Sequence, residues 1–169
     1  MSGCSDPDPV TRGECGENLS SKPRLDGPLE ADTGLVRVSL NRDRAPMDFG
    51  MIWLKMPAGQ EVTIDSVQLE ADDHVGVVIL DATFVVEDSH GSTTIRPSGK
   101  YPAKLIALHC FRLQHRPSGH EPNLVLRVRP KSVALARNKT VDIIYHTPDG
   151  QRYVSVWLYQ MEFSRRGYG

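Results

Sequence analysis

The sequence predicts an all-β protein, an antiparallel β-sandwich of about seven to nine strands behind a disordered amino-terminal tether. Three observations predict it. Apolar residues alternate with a period of two, Gly/Pro-rich loops punctuate the chain, and no helical period holds over about twelve residues. Hydrophobic residues make up 39% and charged residues 24% of a 169-residue chain, so one domain can bury a core without metals or multiple disulfides as staples.

Residues 1–33 are rich in Pro, Gly, Ser, Asp and Glu, with only Val10, Leu19, Leu25 and Leu29 as bulky aliphatics. Such a stretch buries too little apolar surface to offset its chain entropy and reads as a disordered tether. The domain then spans 34–163, and 164–169 is a short tail. In the first strand Val36, Val38 and Leu40 share a face. Phe49 to Met56 follows and stops at Pro57-Ala58-Gly59. Val62 and Ile64 alternate, then Val67 and Leu69 continue in the opposite phase, which places a bulge at Asp65-Ser66. Val75 to Val86 is a long strand, and Glu87 to Pro102 a polar loop. Leu105 to Leu113 reads as one strand with Cys110 in its middle, and Arg116 to Asn123 as another loop. Leu124, Leu126 and Val128 alternate with Val125, Arg127 and Arg129, so the two arginines read as a basic, solvent-facing stripe. Lys131 to Asn138 is the weakest stretch, a loop or a short helical turn. Val141 to His146 and Arg152 to Phe163 flank Thr147-Pro148-Asp149-Gly150, where proline presets one dihedral and glycine tolerates a positive φ. Trp157 sits among apolar neighbours and reads as buried between sheets.

A net charge of -1 excludes a global field that would recruit nucleic acid or an anionic membrane surface. No apolar run is long enough to cross a bilayer. Cys4, Cys15 and Cys110 form no Cys-x-x-Cys pair, which argues against a zinc ribbon or a thioredoxin-type centre. Copper is the sharpest metal alternative: His74, Cys110, His115 and His120 offer two or more imidazoles and a thiolate, but no axial methionine follows His115. Met47, Met51 and Met56 read as core fillers rather than as ligands. Asp72-Asp73-His74 and Asp88-Ser89-His90 gather acid, base and hydroxyl locally, yet adjacent side chains point apart and no nucleophile-elbow sequence surrounds them. Neither a P-loop nor a His-Glu-x-x-His motif occurs. The chain does not read as an enzyme, and no cofactor is expected.

Ser2-Gly3-Cys4 before Ser5-Asp6-Pro7 looks like the end of a lipoprotein signal, where small residues give the processing enzymes access to the cysteine. The residues before Cys4 hold neither a basic nor an apolar stretch. Either the chain begins after a removed signal, or Cys4 is incidental in a cytoplasmic tail. With Cys4 lipidated, Cys15 and Cys110 remain as a candidate disulfide pair in an oxidising compartment. Otherwise Cys110 is a small buried hydrophobe.

Ser2-Gly3-Cys4, Val62-Thr63-Ile64-Asp65-Ser66-Val67-Gln68-Leu69 and Tyr145-His146-Thr147-Pro148-Asp149-Gly150-Gln151-Arg152-Tyr153 together carry a resemblance. The chain resembles actinobacterial lipoproteins with an immunoglobulin-like β-sandwich domain of unknown function. The resemblance implies a lipid anchor at the outer face of the cytoplasmic membrane and brings no catalytic residues. The expectation is a non-catalytic cell-surface module that binds a protein or an envelope component. Its binding loops are Glu87 to Pro102 and Arg116 to Asn123, with His115, Arg116 and His120 as contact residues. A copper-binding protein and an accessory subunit of an intracellular assembly are the alternatives.

Overall fold

The computed structural model describes residues 22–30, 33–39, 45–70, 77–85, 94–100, 104–107, 110–117, 120–131 and 135–164. Among them every regular element is a strand. In chain order these are β1 (Thr33–Ser39), β2 (Met47–Trp53), β3 (Glu61–Glu70), β4 (Val77–Val85), β5 (Thr94–Pro97), β6 (Ile106–Ala107), β7 (Phe111–Gln114), β8 (Asn123–Pro130), β9 (Leu135–Arg137), β10 (Thr140–His146) and β11 (Arg152–Ser164). One sheet runs β1-β11-β10-β3-β7 with β9 also on β11, and the other runs β5-β2-β8-β4-β6. Pairing is antiparallel except for β1, which lies parallel to β11 with Thr33 beside Leu158 and Ser39 beside Ser164.

The sheets pack face to face because each strand alternates. In β11, Ser155, Trp157, Tyr159, Met161 and Phe163 are buried while Val156, Leu158 and Gln160 are exposed. Phe49, Ile52, Leu124, Leu126 and Val128 of one sheet meet Val62, Ile64, Val67, Leu113, Val141, Ile143 and Trp157 of the other in one core. Phe49 sets its ring edge-on to Tyr159 at 6.2 Å between centroids, a favoured arrangement of two ring quadrupoles. Trp157 is buried as expected, and its indole Nε1–H is satisfied by Ser155 Oγ at 2.8 Å.

The bulge expected at Asp65-Ser66 is present. Tyr145 pairs with Ile64 and Ile144 with Ser66, so Asp65 is the extra residue on β3. The Thr147–Gly150 hairpin also forms, with Gly150 at φ 84°.

Five expectations are corrected. Leu105 to Leu113 is not one strand: Cys110 adopts φ 52°, and the chain there leaves β6 in one sheet and enters β7 in the other. The loop 87–102 contains β5, paired to β2, and 131–138 contains β9. Arg127 does not join Arg129 in a solvated stripe. It lies directly opposite Asp48 and pairs with it through Nε at 2.8 Å and a second nitrogen at 3.2 Å.

The fifth correction concerns the tether. Residues 1–21 and 31–32 lie outside the described residues, but 22–30 dock along the start of β11. Arg24 donates to the Arg152 carbonyl at 3.1 Å and accepts from Val154 N–H at 2.8 Å, a parallel bridge at Tyr153. Leu29 is 4% exposed and enters the core, its N–H donating to the Tyr145 hydroxyl at 3.2 Å and its carbonyl accepting from Ser155 Oγ at 3.1 Å. Gly27 crosses the stacked Tyr145–Tyr153 pair, and a Cβ there would fall 2.1 Å from the Tyr145 hydroxyl oxygen. A single buried leucine plus backbone pairing is enough to hold this otherwise polar segment.

Candidate functional site

The end of the sandwich that carries the Thr147–Gly150 turn also carries a cavity of about 340 Å³, lined by Glu61, Val62, Thr63, Cys110, Arg112, His146 and Pro148. Strand pairing assembles it. Thr63 of β3 is the register partner of Arg112 on β7 and of His146 on β10, so residues distant in sequence stand side by side on the solvent face of the six-stranded sheet.

Behind the cavity is an acid–imidazole pair. The Asp65 carboxylate, at 9% side-chain exposure, lies 2.8 Å from His146 Nδ1 through Oδ1. With Nδ1 engaged by the acid, Nε2 is the imidazole nitrogen left for chemistry. Asp65 Oδ2 is buried with no hydrogen-bond partner. Burial is the main cause that pushes the Asp65 carboxyl above its usual range. The His146 hydrogen bond and the charges of His146 and Arg152 pull the other way. Asp65 follows core-facing Ile64 and is the extra residue of the bulge, without a register partner of its own on β10, and its carboxylate meets His146.

At the rim, Glu61 is neutralised from both sides. Arg112 approaches Oε1 at 3.1 Å, and Gln114 Nε2 donates to Oε2 at 2.6 Å. Arg112 is 74% exposed in its side chain, so its remaining N–H groups are open to solvent.

Among the residues singled out from sequence, His115, Arg116 and His120 are exposed and follow directly on β7. They are beside this end of the domain rather than inside the cavity. His115 Nδ1 is held 2.7 Å from the Met56 carbonyl, and His120 N–H donates to the Pro117 carbonyl at 3.0 Å. Cys110 is disulfide-bonded. Cys4 and Cys15, the other two cysteines of the chain, lie outside the described residues, as do Asp72-Asp73-His74 and Asp88-Ser89-His90. A disulfide sulfur is not a thiolate, so Cys110 cannot serve as the soft ligand of the copper arrangement. Among the described residues no group of three His, Cys, Asp or Glu side chains could hold a metal ion.

Asp65, Thr63 and His146 did not stand out in the sequence as site residues. The acid and the imidazole are 81 positions apart, and only the phase slip at Asp65 hinted that this carboxylate had a special place. The chain matches no protein-family model, no curated protein and no solved structure.

Proposed function

We propose that this protein is a non-catalytic binding module, held at the outer face of the cytoplasmic membrane by a lipid on Cys4. Its polar end, the cavity with the adjoining His115, Arg116 and His120 loop, engages a protein or a component of the cell envelope. The observation that supports this reading is the disulfide at Cys110, because disulfides persist in oxidising compartments and are rare in reducing cytosol. The reading assigns Cys15 to the bridge and leaves Cys4 for the anchor.

The test is the intact mass of the protein from membranes of its native host, with a non-reducing peptide map. An acylated Cys4 and a Cys15–Cys110 cross-link are the expected results. An unmodified soluble chain with all cysteines reduced overturns the reading and moves the protein to an intracellular assembly.

A further inference from the structure

On the solvent face of the six-stranded sheet, Arg112, Thr63, His146 and Arg152 are successive register partners across β7, β3, β10 and β11. Directly opposed residues hold their Cβ atoms about 5 Å apart, so the four make a continuous row with the cavity over its first three members. A guanidinium, a hydroxyl and an imidazole are all hydrogen-bond donors, and guanidinium and imidazolium donors bind oxyanions more strongly than neutral ones do. The two acids that contact the row are each paired with one of its members. Glu61 has both oxygens occupied, by Arg112 and Gln114, and Asp65 is buried behind the imidazole.

We propose that the cavity binds an oxyanion, the carboxylate or phosphate group of a ligand, between Arg112, the Thr63 hydroxyl and the Nε2–H of protonated His146. This inference rests on the reading of the chain as a binding module and names the chemistry of what it binds. Asp65 is a positioning residue. By accepting the Nδ1–H it sets the imidazole so that Nε2 serves the cavity, as buried carboxylates do behind histidines in other polar sites.

Binding is coupled to protonation of His146. The charged groups around that imidazole are Glu61 and Asp65 on β3, Arg112 on β7, Arg152 on β11 and Asp149 in the turn, the last bonded to the Thr147 hydroxyl. Glu61, Asp65 and Asp149 together outnumber Arg112 and Arg152 by one negative charge, so a proton on the imidazole brings this set to neutrality and removes the repulsion that an entering anion would meet.

The experiment titrates the full chain separately with inorganic phosphate and with acetate, following calorimetric heat and the His146 ring resonances in the range between about pH 6 and pH 8. One of the two anions should bind with Kd of about 1 mM or tighter, more tightly at the lower pH. Tighter phosphate binding assigns a phosphate-bearing ligand, and tighter acetate binding a carboxylate-bearing one. His146→Gln and Arg112→Gln should each weaken binding about tenfold, and His146→Gln should also erase the pH dependence. Arg137→Gln, at an exposed position of β9, should change nothing.

Failure of both anions to move the His146 resonances overturns the proposal. So does an equal loss in Arg137→Gln, which would mean diffuse attraction, or binding that ignores pH. The lipid and disulfide measurements are read independently, so a lipidated chain that binds neither anion removes the oxyanion and leaves the tethered module standing.

Discussion

Asp48 and Asp65 are both buried carboxylates that meet a basic side chain, one on each sheet, and they differ in how completely they are satisfied. Asp48, 1% exposed, accepts two hydrogen bonds from Arg127, at 2.8 and 3.2 Å, and a third from Gly99 N–H at 3.1 Å. Those contacts tie β2 to β8 and to the turn after β5. Asp65 accepts one bond from His146, its other oxygen is unpartnered, and its carboxyl is pushed up by burial. A buried charge is stabilising only when its remaining lone pairs are met. The first pair has both carboxylate oxygens met. The second is incomplete and stands beside the cavity that His146 lines.

Breaking each pair should expose this difference. The largest effect belongs to Arg127→Ala, which strands the Asp48 carboxylate in a dry site. It should lower stability by about 3 kcal/mol, because Arg127 is partly exposed and water screens some of the loss. Chemical denaturation measures this, and anion binding at the other sheet should be unaffected.

Asp65→Asn should behave in the opposite way. The folded state holds the Asp65 proton more tightly than the unfolded chain does, so the stability this group contributes is full in acid. It is lost as pH rises through the raised folded value. Asparagine does not titrate, and its side-chain oxygen can still accept the Nδ1–H. The variant should therefore match or exceed the parent in melting temperature at about pH 8, and its melting temperature should vary less with pH. A lower melting temperature at that pH would show that the ionised acid stabilises the fold after all.

The smallest effect on stability is Arg112→Gln. The ion pair with Glu61 is exposed on the arginine side, so its loss should cost less than about 0.5 kcal/mol by denaturant titration. Its consequence should appear in binding, not in folding.

Much of the fold was legible because it depends on neighbours in sequence. Alternation placed β3, β8, β10 and β11 to within a residue or two, and the phase change from Val62 and Ile64 to Val67 and Leu69 located the bulge. The short strands β5 and β9 were not legible. Thr94–Pro97 and Leu135–Arg137 are too brief to show a period, and only their long-range partners make them strands. Cys110 was misplaced because a positive φ at a non-glycine residue leaves no trace in an apolar pattern. Docking of 22–30 was hidden for a related reason: composition averages over the segment, whereas Leu29 alone finds the core. The candidate site was the least legible feature. Asp65 with His146 and Thr63 with Arg112 become neighbours only through sheet register, a property of the fold and not of any local motif.

The parallel pairing of β1 with β11 has a mechanical consequence. A pull on the chain ahead of Thr33 acts along the strand axis, so the register from Thr33–Leu158 to Ser39–Ser164 is strained in shear, all rungs together. A perpendicular pull would open the same rungs one at a time, at much lower force. The bridge at Arg24 and the burial of Leu29 add resistance at the leading edge. Traction applied through the amino-terminal side would therefore meet its resistance at the end of the domain that carries Tyr153 and the Thr147–Gly150 turn.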